Sequence, residues 1–183
     1  MSRGKSRAFH ATGTVLLALL WVVSGCSERP TPVQSSSSKR YAPVVRLAHG
    51  KLAAADQWVE ATRTITPEAG GAIEVGDDII GKSSLAVPPG AVSAPVNISM
   101  RATTSGPVVV EFGPELQFAK PVTVSISYLG ADLTRVDEAS LTVLYNDEIL
   151  EEWELVTSTV NLNSKAVVGY LRHFSEYAVG SEH

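Results

Sequence analysis

The chain holds a single cysteine, Cys26, among 183 residues, so no intramolecular disulfide is possible even in an oxidising compartment. Histidine is scarce too: of 4, His10 and His49 fall early, His183 is the last residue, and only His173 sits inside a patterned region. One histidine without a cysteine argues against a zinc site. There is no G-x-S-x-G elbow, no H-E-x-x-H pair and no phosphate-cradling glycine loop opening a helix, so the usual signatures of hydrolase, metalloprotease and nucleotide chemistry are missing. Basic residues number 15 against 19 acidic ones. That balance excludes a phosphate-backbone ligand as the default partner, since nucleic-acid binding rests on Lys and Arg neutralising phosphates.

What is present begins at the N-terminus. In "MSRGKSRAFHATGTVLLALLWVVSGC", Arg3, Lys5 and Arg7 precede an apolar run from about Thr14 to Val23, with no acidic residue before Cys26. As a helix that run spans about 15 Å, half the ~30 Å core of a bilayer, which suits a signal-peptide h-region and not a transmembrane span. It ends in Val23-Ser24-Gly25-Cys26, which resembles the lipobox of bacterial lipoproteins. The resemblance implies cleavage after Gly25, a lipidated Cys26 and an exported, membrane-held protein. Ser27 in place of Asp implies the outer membrane where the host has two. Removing residues 1–25 takes away three of the 15 basic residues and no acidic one, leaving 12 against 19. Such a surface attracts little anionic lipid, so acyl chains would have to supply the anchor.

Residues 26–57 read as a Ser/Pro-rich linker, "SERPTPVQSSSSKRYAP", followed by "VVRLAHGKLAAADQW". Val45, Ala48, Leu52 and Ala55 have helical spacing there, which Gly50 weakens. Residues 58–183 read as strands. Val96, Ile98 and Met100 alternate with Asn97, Ser99 and Arg101; Val122, Val124, Ile126 and Tyr128 alternate with Thr123, Ser125 and Ser127; Leu141, Val143 and Tyr145 continue the pattern. Alternation of this kind marks strands with one buried face. Turn signals such as Gly70-Gly71, Gly76-Asp77, Pro88-Pro89-Gly90 and Gly113-Pro114 separate the runs. The expected fold is all-β: one antiparallel β-sandwich domain, with Phe112, Phe118 and Trp153 in its core and Pro121 at the start of a strand.

Five stretches, "ITPEAGGAIEV", "LAVPPGAVSAPVNISM", "EFGPELQFAKPVTVSISY", "WELV" and "HFSEYAV", occur in that order and together resemble the ZU-five domain, a β-sandwich of ankyrins, netrin receptors and some bacterial exported proteins. The likeness runs over about residues 60–180. Relatives commonly carry an extra Gly after "GPE", where Glu115 here meets Leu116 directly. The resemblance implies a non-catalytic interaction or assembly module that binds another protein, without a cofactor. Some relatives cleave themselves within His-Phe-Ser, which His173-Phe174-Ser175 matches. Cleavage would need the Ser175 hydroxyl to attack the Phe174 carbonyl, with a base beside it.

The structural reading of the same residues is a closing strand with Phe174 turned inward and Ser175 and Tyr177 pointing the other way. In a regular strand His173 and Ser175 lie about 6–7 Å apart, beyond hydrogen-bond reach, unless a bulge or kink intervenes. A third reading, adhesion or glycan binding, needs an exposed aromatic platform, for which Trp58 and Tyr170 are the candidates. The acidic groups Asp77-Asp78 and Asp147-Glu148 with Glu151-Glu152 fall at turns and lack the spaced ligand loop of a calcium site.

Overall fold

The computed structural model describes residues 44–48, 58–147 and 152–181. All of these lie in one compact unit, Ser38–His183. The signal peptide, Cys26, most of the linker, His49, Glu148 and Glu151 lie outside the described residues.

Among the described residues eleven strands follow in chain order. They are β1 (Trp58–Ile65), β2 (Gly71–Asp77), β3 (Gly81–Val87), β4 (Val96–Thr103), β5 (Val109–Gly113), β6 (Gln117–Ser127), β7 (Leu141–Asp147), β8 (Glu152–Val156), β9 (Ser158–Asn161), β10 (Ala166–His173) and β11 (Glu176–Ser181). A six-stranded sheet in the order β1-β4-β5-β11-β7-β8 packs against a five-stranded sheet in the order β2-β3-β6-β10-β9. All pairings are antiparallel. The protein is a β-sandwich, and no α-helix occurs among the described residues.

The alternation explains the core. Ile98 and Met100 of β4, Val122, Val124 and Ile126 of β6, and Val143 of β7 all point between the sheets and are fully buried. Tyr128, one residue past β6, is buried with them. At the turn after β3, Gly90 takes φ +76 and its N–H donates to the Pro67 carbonyl at 2.7 Å. This is the left-handed position that the Pro-Pro-Gly run anticipates. Gly70 takes φ +62 in the turn before β2, where a Cβ would stand 2.2 Å from the Val87 carbonyl oxygen.

Three expectations change. Residues 44–47 are extended, with Ala48 in the turn that follows, and belong to the sandwich where the linker was expected. The Val45 N–H donates to the Val179 carbonyl and its own carbonyl accepts from Val108, at 2.8 and 2.9 Å. Val45 and Leu47 are buried while Arg46 between them is exposed, so a period of two overrides the helical spacing. The remainder of that expected helix lies outside the described residues. Pro121 sits within β6, not at its start, at the point where the ladder to β10 shifts register between Leu171 and His173. A bulge is one of the few places where a strand tolerates the missing N–H.

Trp153 joins a different cluster from the one expected. It pairs with Asn146, on the outward parity of β8, and packs with Val44 and Trp58 over Val109, Leu144 and Ala178. These three are buried on the outer face of the six-stranded sheet, away from the inter-sheet core that holds Phe118.

Candidate functional site

The His-Phe-Ser stretch is the place where the chain leaves one sheet for the other. β10 ends at His173 in the five-stranded sheet, β11 starts at Glu176 in the six-stranded one, and Phe174 and Ser175 make the crossing. Residues 172–179 are therefore not one closing strand. β11 inserts between β5 and β7 instead of ending a sheet. The crossing also resets the alternation: Phe174 and Tyr177 both point into the core, so the outward orientation expected for Tyr177 is corrected.

Aromatic packing holds the crossing. The Phe174 ring stacks on Phe112 at 5.0 Å between centroids and meets Phe118 edge-on at 4.8 Å. Its N–H donates to the Leu116 carbonyl at 2.9 Å. The Tyr177 hydroxyl donates to the His173 carbonyl oxygen at 2.7 Å. The His173 ring lies edge-on to Tyr145, 5.3 Å away.

Chemically the arrangement is half of what cleavage needs. His173 Nδ1 approaches the Phe174 carbonyl oxygen at 3.4 Å, on the side where a donor would meet a developing oxyanion. The Ser175 hydroxyl, however, donates to the Asn146 carbonyl at 3.0 Å, and an amide carbonyl is no base. No hydrogen bond joins His173 to Ser175 among the described residues, although the kink and the bulge are both present.

Around the crossing opens a recess of about 510 Å³. Phe112, Tyr145, His173 and Phe174 form aromatic walls, and Glu111, Glu115, Asp147 and Glu176 bring carboxylates to it. The Arg101 guanidinium pairs with Glu111 and also lies 4.6 Å from the Trp58 ring centroid. The Tyr145 hydroxyl donates to Asp147 at 2.9 Å. That bond, helped by burial and by the negative charges of Asp147 and Glu154, pushes the Tyr145 phenol up to about 12. Burial, and then the neighbouring Tyr145, push the Tyr177 phenol up as well. The recess had no linear signal, because its carboxylates come from three separate stretches of chain: Glu111 and Glu115 at the end of β5 and the turn after it, Asp147 at the end of β7 and Glu176 at the start of β11.

The remaining candidates separate cleanly. Tyr170 is 62% exposed on the outer face of the five-stranded sheet, whereas Trp58 is half-buried beneath Arg101. Asp77 turns its carboxylate onto the Ile79 and Ile80 N–H groups, at 2.8 and 3.0 Å, and so caps the β2–β3 turn. Among the described residues no group of three or more His, Cys, Asp or Glu side chains is arranged to hold a metal. In comparisons with known proteins, no family model and no curated protein matches the chain.

Proposed function

We propose that the chain is a lipid-anchored protein of the bacterial envelope, tethered through Cys26, whose ZU-five-like sandwich is a non-catalytic module that docks a partner protein. The recess at the β10–β11 crossing carries this reading. It combines rigid aromatic walls with carboxylates contributed by separate strands, a combination that suits aromatic or basic side chains of a partner. The anchor rests on the run Val23-Ser24-Gly25-Cys26 and on the charged segment before the apolar stretch.

Two measurements test it. Fatty-acid labelling and membrane fractionation of wild type and Cys26→Ser should both report loss of the anchor in the variant; equal membrane retention would remove the tether from the proposal. A photo-crosslinking residue at Glu115, exposed at the recess, should capture a discrete envelope protein that the same residue at Glu74, on exposed β2, does not. Equal labelling from both positions would reject the recess as the docking site.

Self-cleavage between Phe174 and Ser175 is the second reading, favoured by the 3.4 Å approach of His173 Nδ1 to the Phe174 carbonyl oxygen. It ranks below docking because the Ser175 proton is directed at a backbone carbonyl. Adhesion or glycan binding is the third, and the exposed ring of Tyr170 supports it.

A further inference from the structure

The edges of a sandwich are where a second chain can add a strand, and most proteins guard them with charge, proline, a bulge or a cover. Of the four edge strands among the described residues, three are guarded here. β1 exposes Glu60 and Arg63. β2 has the Arg63 guanidinium donating to its Ala72 carbonyl at 2.7 Å. β8 alternates Glu152 and Glu154 with its apolar residues. The fourth, β9, reads Ser-Thr-Val-Asn, and residues 155–164 around it contain no charged residue, proline or glycine. Among the described residues β9 pairs only with β10.

The same corner exposes apolar side chains. Leu155 at the end of β8 is 58% exposed, and Leu162 just past β9 is 50% exposed. Between them runs a groove of about 640 Å³ with Leu141, Val156 and Val160 in its walls. The strand is also held in place from within. The Ser158 hydroxyl accepts from the Val143 N–H at 3.0 Å and bonds the Thr142 hydroxyl at 3.0 Å, stitching the start of β9 to β7 of the opposite sheet. A strand fixed in this way presents its free flank ready-formed, which lowers the ordering cost of pairing.

We propose that β9 pairs with β9 of a second copy of this chain, antiparallel across a two-fold axis, so that the two five-stranded sheets become one continuous sheet. Charge selects this occupant. The chain carries a formal net charge of −4, so two copies repel wherever their acidic faces meet, and residues 155–164 offer a contact without that repulsion. The same neutrality gives a charged partner nothing to read. Antiparallel pairing of a strand with its own copy is self-complementary by symmetry. It would also bring the exposed Leu155 and Leu162 of each copy toward the seam. The proposal goes beyond the docking function above, and neither depends on the other.

The test is analytical ultracentrifugation of the full chain in detergent solution over a range of concentrations. Wild type is compared with the double substitution Thr159→Lys, Leu162→Lys and with Tyr170→Lys, which charges the outer face of the same sheet. Wild type and Tyr170→Lys should sediment as two-copy species. The double substitution should raise the dissociation constant about tenfold or more, because it sets like charges against each other across the seam, with the far-ultraviolet circular dichroism unchanged. If the double substitution alters that spectrum, Thr159→Lys alone reads the same seam. A wild type that sediments as one copy throughout overturns the proposal, and so does a dimer equally stable in all variants.

Discussion

The Tyr177 hydroxyl donates to the His173 carbonyl oxygen at 2.7 Å, so a side chain of β11 clasps the last backbone carbonyl of β10 across the passage between the sheets. Tyr177 is 1% exposed, so this carbonyl is the partner its hydroxyl finds within the fold. Tyr177→Phe keeps the ring packing against Phe112 and removes only the donor. Losing one such half-buried hydrogen bond costs about 0.5–1.5 kcal/mol. Urea unfolding of the variant should show that loss in the midpoint with an unchanged slope; a midpoint equal to wild type would mean the clasp contributes nothing.

Phe174 fills the space beneath the clasp, buried against Phe112 and Phe118. Phe174→Ala should destabilise by about 3–5 kcal/mol, the usual range for emptying an aromatic site in a core. Phe174→Leu, which keeps much of the volume, should recover most of it. The thermal midpoints of the two variants give the comparison directly.

Much of this fold is legible in the chain because period-two patterning is strong wherever one face is buried. β4 follows it from Val96 to Ala102 and β6 from Val122 to Ile126. It failed at residues 172–179 for a local reason: the stretch alternates as if it were one strand, but passes between two sheets, so the faces of Phe174 and Tyr177 are set by the crossing and not by the period. Residues 44–48 failed differently, since Val45-Arg46-Leu47 is too short to outweigh the helical spacing of its flanks. Neither the recess nor the outer-face cluster could be read, since each is assembled by pairing register: Val109, Ala178 and Leu144 become neighbours only through the β5–β11 and β11–β7 ladders.

Tyr145 predicts a pH dependence at the alkaline end. Its phenol moves from 10.0 to about 12 in the folded protein, because the hydrogen bond to Asp147 favours the protonated form. Below the unfolded value that contribution is fully present. Above it the unfolded chain releases its proton first, so stability falls as pH rises toward the folded value. The thermal midpoint should therefore decline through this window, with Tyr177 adding in the same direction. Tyr145→Phe, which has no proton to lose, should show a shallower decline than wild type. An unchanged slope would separate the Tyr145–Asp147 bond from stability.

Ser175 gives the sharpest division between the readings of the crossing. Its hydroxyl donates to the Asn146 carbonyl, joining the crossing to the end of β7. As a structural residue it predicts a loss of about 0.5–1.5 kcal/mol in Ser175→Ala, the net worth of one hydrogen bond. It also predicts a single, intact mass for wild type and variant alike. The mass must be taken under denaturing conditions, because β11 lies between β5 and β7 and a severed strand would stay held by both ladders. A wild-type species lacking residues 175–183, absent from Ser175→Ala, would show that the hydroxyl leaves Asn146 to attack the Phe174 carbonyl. β11 would then be a strand that the protein can release.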